Sequence, residues 1–341
     1  MPALNEMPVY GDTSLGERII GDAHKLGTFT ETDGMLSRTF MTPAHHKAAA
    51  FLAGIMCEAG MRVRRDSAGN VIGRYEGLAP NAKMLLTGSH FDTVKNAGMF
   101  DGPLGILLPI ACVHRWNRFG KRFPFAIEVI GFSEEEGVRF KATLLGSRAI
   151  SGTFDMSVLD NKDADGHTMR EVMEASGFHT LGLEKAAYDP ATVLGYLEVH
   201  IEQGPVLLNE NLPLGVVTTI SGATRFMVEV NGTGGHAGTV PMEMRHDAAM
   251  TAAEIGLFIE RRCRNIPTLV GTVGHFEVPN GAANVVPGKA IFSIDIRAAE
   301  DQLRCDAVDD VAAKCALVEQ ERGVTVNAKK THEAISVPCA Q

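Results

Sequence analysis

One histidine and two aspartates follow the short apolar segment at residues 84–86: they are His90, Asp92 and Asp101. His90 and Asp92 are two residues apart, so on an extended segment their side chains point to the same side. Neutral imidazole together with carboxylates suits Zn²⁺, Mn²⁺ or a similar divalent ion, and one carboxylate can bridge two ions. The alternative is a hydrogen-bonded histidine beside aspartates that cap a loop, because short His/Asp patterns occur by chance.

A run of three glutamates, at residues 134–136, follows an apolar segment at residues 125–132 after a single serine. Carboxylates at the end of a buried strand are costly unless a cation neutralises them, and a metal pair would do so. Glu136 would then be a ligand and Glu135 a free general base. The alternative is a solvated acidic loop. His200 alone could be a core histidine, but it is also a fourth ligand of the right type.

The elements that must position these residues are predicted from apolar periodicity. Helices are expected at residues 14–26, 43–60 and 103–116, and strands at 70–76, 83–87 and 125–132, followed by a helical polar stretch around 168–186. The order strand, helix, strand favours an α/β sheet with the site at the carboxyl ends of the strands. His45 and His46, in the first turn of the second helix, are interpreted as solvated because they lack an acidic or thiol neighbour in the sequence.

From about residue 212 the pattern changes to half-exposed strands. Alternation predicts strands around residues 226–230 and 292–296, with a further strand at 268–277 and helices at 247–263 and 302–319. The order βαββα predicts a small, ferredoxin-like α+β sheet with two helices on one face, inserted into the first domain as a lid. The predicted domains are therefore 1–212, 213–328 and a return segment at 329–341.

Two segments of this lid have the composition of a functional site. The Gly-rich residues 232–241 present His236, and a flexible backbone suits an imidazole that must reach a developing oxyanion. A plain hairpin turn with an exposed histidine is the alternative. Asn284 and Arg297 form the second segment. Arg297 is a natural bidentate partner for a substrate carboxylate, although an ion pair with a neighbour such as Glu300 would give the same pattern.

Composition narrows the function classes. The chain has 341 residues, 45% of them hydrophobic, which suits two globular domains, and a net charge of −9, which argues against nucleic acid or an anionic membrane as a partner. The six scattered cysteines indicate buried free thiols in a reducing compartment. The N-terminus has no basic segment followed by an apolar run, and no stretch has the roughly 18 apolar residues of a membrane span, so a cytoplasmic location is expected.

Six motifs in this order match a known family. The chain resembles the M20-type dinuclear amidohydrolases, in the branch of allantoate amidohydrolase, N-carbamoyl-L-amino-acid hydrolase and β-ureidopropionase. His200 is the distinguishing residue, because the related peptidases and deacylases carry a carboxylate at that place. The motifs are His90-x-Asp92, Asp101-Gly102, Glu135-Glu136-Gly137, His200-Ile-Glu-Gln-Gly204, Gly235-His-Ala-Gly-Thr239 and Asn284-Val-Val-Pro-Gly288.

The resemblance implies a mixed-sheet αβα catalytic domain that binds two divalent ions, Zn²⁺ or Mn²⁺, with Co²⁺ or Ni²⁺ also suitable. His90, Asp101 and His200 would hold one ion, and Asp101 would bridge to a second ion held also by Glu136. Asp92 would orient His90, and Glu135 would pass a proton from the attacking water to the leaving nitrogen. The family supplies one more ligand histidine in a Ser-Gly-Ala-Gly-His-Asp-like motif, which this sequence does not contain.

The resemblance also implies a homodimer formed through the lid. In the family, the histidine that matches His236 comes from the partner subunit and stabilises the oxyanion. By the same match Arg225, Asn284 and Arg297 would hold the substrate carboxylate, and Gln203 would be a further site contact.

The implied reaction is hydrolysis of a linear carbamoyl or ureido C–N bond next to a carboxylate, with release of ammonia and carbon dioxide. Allantoate, giving ureidoglycine, is the first expected substrate, and an N-carbamoyl-L-amino acid is the second. The alternatives are a β-ureidopropionase, an M20-type peptidase or deacylase, and a C-terminally incomplete, non-catalytic homologue.

Overall fold

The protein is described here by a computed structural model of residues 13–340. The chain divides into two compact units, Met1–Pro205 and Val206–Gln341. We describe each unit by itself and call them the N-terminal unit and the C-terminal unit. The domain boundaries predicted from the sequence, 1–212, 213–328 and 329–341, stay predictions.

The N-terminal unit alternates helices and strands in chain order. Its helices are α1 (Thr13–Gly27), α2 (Pro43–Glu58), α3 (Pro103–Arg118), α4 (Leu145–Ser151) and α5 (Met169–Ala175). Its strands are β1 (Arg62–Arg65), β2 (Val71–Tyr75), β3 (Met84–His90), β4 (Ala126–Phe132) and β5 (Val193–Leu197). Short 3₁₀ helices lie at Met156–Asp160, Thr180–Lys185 and Pro190–Thr192.

These strands form one mixed sheet in the order β1-β2-β4-β3-β5. Strand β3 runs parallel to both β4 and β5, whereas β2 is antiparallel to β1 and β4. The carboxyl ends of β3, β4 and β5 therefore meet at one edge of the sheet. His90 ends β3 in register with Phe132, the last residue of β4. The predicted mixed α/β sheet is confirmed.

Strand β4 is apolar almost throughout because both of its faces are covered. Val129 packs with Leu52 and Ile106 of α2 and α3, whereas Ile130, on the opposite face, packs with Ile150 of α4. Each fully buried side chain of this size contributes about 1.5–3 kcal/mol through removal of apolar surface from water. The sheet edge that bears the site is therefore held by a rigid core.

Two predictions about burial are wrong, one for a histidine in this unit and one for the cysteines of both units. His45 is fully buried: its Nε2 lies 2.7 Å from the carbonyl oxygen of Ser133, and its ring stacks on Phe91 with centroids 4.5 Å apart. Its partner is a backbone carbonyl, so acidic or thiol neighbours in the sequence are not needed. The cysteines are free but mostly not buried. Cys263 is buried, while three others are exposed: Cys57, Cys305 and Cys339.

The C-terminal unit is built on antiparallel pairs. Its helices are α6 (Val206–Asn209), α7 (Ala248–Cys263) and α8 (Asp301–Arg322), with a 3₁₀ helix at Met242–Met244. Its longer strands are β7 (Gly222–Asn231), β12 (Lys289–Ala298) and β13 (Thr325–Ala334). Its short strands are β6 (Thr219–Ile220), β8 (Gly235–His236), β9 (Val270–Thr272), β10 (Phe276–Glu277), β11 (Val285–Val286) and β14 (Val337–Pro338).

The main sheet of this unit has the order β10-β12-β7-β13, with β9 also paired to β12. Alternate residues of β7 and β12 face α7 and α8 and form a second core, which includes Val228, Phe292 and Ile294. The other face carries polar residues such as Arg225 and Asp295. Alternation with a period of two decides which residues reach which face.

The single strand predicted at residues 268–277 is wrong. The chain forms two short strands there, β9 and β10, and both pair with β12. Between them the backbone N–H of His275 donates to the hydroxyl Oγ of Ser293 at 2.9 Å, where a regular ladder would use a carbonyl oxygen. The side-chain bond interrupts the strand.

Within residues 13–340, none of the helices combines the length and the apolar character that crossing a membrane requires.

Candidate active site

Potential metal ligands converge at the carboxyl edge of the N-terminal sheet. One ligand atom each from His90, Asp101 and His200 lie within 4.8 Å of one another, and so do atoms of His90, Glu135 and Glu136. His90 ends β3, the glutamates follow β4, and His200 follows β5. The parallel arrangement of these strands therefore brings together ligands that are distant in the sequence. The second group joins Glu136 to His90, whereas the family resemblance pairs Glu136 with Asp101.

His90 is oriented by Asp92. The Nδ1 atom of His90 lies 3.0 Å from the backbone oxygen of Asp92 and 3.5 Å from its Oδ1. A proton on Nδ1 serves both contacts and leaves the lone pair of Nε2 free for a metal. Burial by itself lowers the pKa of His90, but the hydrogen bond and charge of Asp92, together with Glu135, raise it to about 9. A metal ion that binds Nε2 must therefore displace the second proton of the charged ring, while the proton on Nδ1 stays in place.

Asp92 also fixes the glutamate loop. Its Oδ1 accepts a hydrogen bond from the backbone N–H of Glu135, and its Oδ2 accepts one from the backbone N–H of Glu136, both at 3.0 Å. The Asp92 side chain is almost completely buried. Charge-assisted hydrogen bonds of this kind are stronger than neutral ones, so the ends of β3 and β4 are held together at the site.

Asp101 reaches the cluster from a tight turn. Gly102 has φ +84°, and a Cβ atom there would lie 2.4 Å from the backbone oxygen of His90. The turn therefore depends on glycine at this position. The carboxylate of Asp101 accepts hydrogen bonds from Gln203 Nε2 at 2.9 and 3.2 Å, and its Oδ1 lies 3.4 Å from Nε2 of His200. Gln203 thus contacts a predicted ligand.

The glutamate run is not a solvated loop. Glu134 is 1% exposed, and its Oε1 has no hydrogen-bond partner within residues 13–340. Burial raises the pKa of Glu134, and repulsion from Asp92 and the neighbouring glutamates raises it further. Burial also raises the pKa values of Glu135 and Glu136, with repulsion from other carboxylates as a further cause. This excess of buried negative charge, with two imidazoles, fits divalent cations bound through nitrogen and oxygen.

In the C-terminal unit, His236 and Asn284 lie next to each other. His236 in β8 pairs with Val285 in β11, and the backbone N–H of Ala237 donates to the backbone oxygen of Asn284 at 2.9 Å. The Nδ1 atom of His236 accepts a hydrogen bond from the backbone N–H of Gly238 at 3.0 Å. In the neutral ring the proton is therefore on Nε2, which makes this nitrogen a hydrogen-bond donor.

Arg245 holds the loop that carries His236. Its guanidinium donates to the backbone oxygen of Ala237 at 2.6 Å and to that of Val240 at 3.1 Å. These two bonds span the Gly-rich segment on both sides of Gly238. The segment is thus supported by a side chain from outside its own sequence, which a plain hairpin turn does not require.

Arg225 and Arg297 share one carboxylate on the polar face of the C-terminal sheet. Asp295 accepts from Nε of Arg225 at 2.9 Å and from Nε and Nη2 of Arg297 at 3.0 and 2.8 Å. These three residues line a cleft of about 470 Å³. The ion pair given as the alternative for Arg297 thus exists, but its partner is Asp295 rather than Glu300.

Asp295 is the residue at this cleft that sequence reasoning missed. A signal for it was present, because it precedes Arg297 by two residues on a predicted strand and therefore shares its face. The pairing of β7 with β12 sets Arg225 directly opposite Asp295. This pairing is visible only in the tertiary structure. Only this pairing shows that one carboxylate serves both arginines.

Residues 86–336 of the chain match the model of peptidase family M20/M25/M40. The chain belongs to this family. The resemblance expected from the six motifs is therefore confirmed, and the match covers both units of this M20 chain.

Two curated relatives narrow the enzyme class. The M20 chain is 38% identical to the N-carbamoyl-L-amino acid amidohydrolase of Geobacillus stearothermophilus, over 96% of this chain and 80% of that protein. It is 39% identical to allantoate deiminase 1 of Glycine max, over 95% of this chain and 72% of that protein. These relatives confirm the prediction that this M20 protein is a hydrolase of C–N bonds.

A solved structure agrees with the fold. The M20 chain superimposes on a hydantoinase/carbamoylase family amidase from Burkholderia ambifaria with a TM-score of 0.86 and 30% sequence identity. The likeness covers 95% of this chain and 79% of the amidase.

Proposed function

We propose that this M20 protein hydrolyses a linear carbamoyl or ureido C–N bond next to a carboxylate. Allantoate is the first proposed substrate, and it reacts with water to give ureidoglycine, ammonia and carbon dioxide. An N-carbamoyl-L-amino acid is the second. The observation that carries the proposal is the cluster of His90, Asp101 and His200 beside Glu135, in a chain whose relatives bear the names of these two activities.

The cluster is proposed to hold two divalent ions, Zn²⁺ or Mn²⁺. His90, Asp101 and His200 would hold one, and Glu136 with the bridging Asp101 would hold the other. The ions would supply Lewis-acid polarisation of the scissile carbonyl and acidify the attacking water. Asp92 keeps the Nε2 lone pair of His90 directed at the site through its contacts with Nδ1.

Glu135 is proposed as the general base and then the general acid. It takes the proton from the attacking water and delivers it to the leaving nitrogen. Burial and neighbouring carboxylates raise the pKa of Glu135 from its usual value near 4.5, which makes its carboxylate a stronger base for taking the proton from water. Its backbone N–H is fixed by Asp92, so the loop that carries the carboxylate does not have to reorganise.

The C-terminal unit is proposed to supply the groups that bind substrate. The Nε2–H of His236 would donate to the developing oxyanion, and by the family resemblance it would come from the partner subunit of a homodimer formed through this unit, acting as a lid. Arg225, Asn284 and Arg297 would bind the substrate carboxylate, and Gln203 would be a further site contact. The free cysteines support the expected cytoplasmic location.

A second candidate is a non-catalytic homologue that keeps the fold and binds metal weakly. It differs from the enzyme in the number of ions that the ligand groups of His90 would hold per chain. An M20-type peptidase or deacylase is the less favoured enzyme, because His200 stands where those enzymes carry a carboxylate.

The test is ammonia release from allantoate and from several N-carbamoyl-L-amino acids after incubation of the full chain with Mn²⁺ or Zn²⁺. Release from one of them supports the enzyme, and the ratio of kcat/KM values ranks the substrates. Glu135→Gln should abolish release while metal content stays unchanged, and the exposed Glu184→Gln should alter neither. If no substrate releases ammonia and fewer than two ions are bound per chain, the non-catalytic homologue is favoured.

A further inference from the structure

The two arginines proposed to bind the substrate carboxylate already share an internal one. Asp295 lies directly opposite Arg225 in the β7–β12 pair and two residues before Arg297 on β12, so all three side chains are on one face of the sheet. Asp295 binds Nε of Arg225 through Oδ2 and Nε of Arg297 through Oδ1, at 2.9 and 3.0 Å. One carboxylate thus bridges two strands.

This arrangement decides which donors remain for a ligand. The Nε atoms of both arginines and Nη2 of Arg297 are used by Asp295. Within residues 13–340, both Nη atoms of Arg225 and Nη1 of Arg297 have no hydrogen-bond partner. The side chains of Arg225 and Arg297 are 45% and 47% exposed, and both residues line the cleft of about 470 Å³. Free donors therefore face a space large enough for a small carboxylate.

The charge of the cleft follows from the same three residues. Two guanidinium groups and one carboxylate leave a single positive charge, which one incoming carboxylate neutralises. A second carboxylate on the substrate would bring an uncompensated negative charge close to Asp295. Asp295 holds the arginines in place and also limits how much negative charge they can take up.

We propose that Asp295 is a positioning and specificity-determining residue for the substrate carboxylate. It holds the guanidinium groups of Arg225 and Arg297 so that their outer Nη donors bind one carboxylate, and it makes the cleft favour substrates with one carboxylate over substrates with two. The inference rests on the proposed function, since it concerns the substrate of the same reaction.

The experiment compares N-carbamoyl-L-alanine, with one carboxylate, and N-carbamoyl-L-aspartate, with two, on the full metal-loaded chain at pH 8. The variants are Asp295→Asn, which removes the charge at constant shape, and Asp295→Glu, which keeps it. Glu229→Gln is the matched control on the same sheet face, where Glu229 pairs with Lys289.

For Asp295→Asn we expect the KM for the monocarboxylate to rise about tenfold with little change in kcat, because the change affects binding rather than the chemical step. The ratio of kcat/KM values should shift toward the dicarboxylate by about tenfold. Asp295→Glu should retain most of the original preference, and Glu229→Gln all of it. An unchanged ratio in a folded Asp295→Asn protein, or a loss confined to kcat, would overturn the inference.

Failure of the proposed function gives a different result. If the unmodified protein releases ammonia from neither compound, the two compounds are used as ligands in calorimetric titrations of the full chain, and the proposed reaction is wrong if allantoate releases none either. The inference predicts the same shift, about tenfold toward the dicarboxylate, in the ratio of dissociation constants for Asp295→Asn. Equal ratios, or no binding of either compound, would contradict it.

Discussion

Asp92 accepts a hydrogen bond at Oδ1 from the backbone N–H of Glu135, at 3.0 Å. The bond joins the segment that follows β3 to the loop that follows β4, and the other carboxylate oxygen binds the next amide in the same way. Asp92 also contacts Nδ1 of His90. A single buried carboxylate therefore sets the positions of a proposed ligand and of the proposed general base.

Replacing Asp92 by asparagine should weaken metal binding about 10–100-fold, because an outer carboxylate that orients a ligand histidine has an effect of this size. The free energy of unfolding should fall by about 1–3 kcal/mol, because the new amide NH₂ faces a backbone N–H donor. Calorimetric titration with Zn²⁺ and urea unfolding measure the two effects. Asp160→Asn, at a side chain that is 78% exposed, is the control. If Asp92→Asn binds Zn²⁺ with unchanged affinity, Asp92 does not orient His90 for metal binding.

The number of bound ions should depend on which ligand is removed. Asp101 is the proposed bridge between the two ions, whereas His90, His200 and Glu136 would each hold one. We expect Asp101→Asn to lose most of its metal after dialysis, while His90→Ala, His200→Ala and Glu136→Gln each lose about one ion per chain. Elemental analysis measures the content, and His24→Ala, at an exposed histidine, is the control. Full metal content in His90→Ala would show that the cluster is not the metal site.

Gly102→Ala should destabilise the turn that carries Asp101. The positive φ of this residue costs a non-glycine residue about 1–3 kcal/mol, and the Cβ would also collide with the backbone oxygen of His90. We expect lower stability in urea together with weaker metal binding. Gly98→Ala is the matched control in the same loop, because a Cβ there meets nothing within 4 Å. Equal stability of the two variants would contradict this account of the turn.

His45 should make the protein less stable in acid. Burial lowers its pKa to about 3, below the usual value of 6.5, so the unfolded chain binds a proton that the folded chain does not. Its contribution is therefore full above pH 6.5 and is lost as the pH falls from 6.5 toward 3. The slope in this window is up to about 1.4 kcal/mol per pH unit.

The measurement is the free energy of unfolding in urea at several pH values between 4.5 and 7.5, on the metal-free protein. His45→Gln keeps a donor for the carbonyl of Ser133 but does not titrate, so its stability should fall less steeply with acid. His24→Gln should follow the original curve, because His24 is exposed. A His45→Gln curve parallel to that of the unmodified protein would show that His45 is protonated in the folded state.

Local sequence determined the elements and the order of the motifs. The helix predicted at residues 43–60 is α2, which begins at Pro43 with Thr42 as its cap. The apolar run at residues 125–132 predicted β4 with the glutamates at its end. Capping and periodicity depend on residues a few positions apart, so one sequence suffices to see them. The six motifs indicated the family in the same way.

Tertiary structure decided which residues are buried and which polar groups meet. His45 is buried because it bonds Ser133, 88 positions away, and Arg225 meets Asp295 across 70 positions. The strand expected at residues 268–277 is interrupted by a side chain of β12. Burial and hydrogen-bond partners depend on strand pairing between distant segments, and periodicity within one segment carries no information about that pairing.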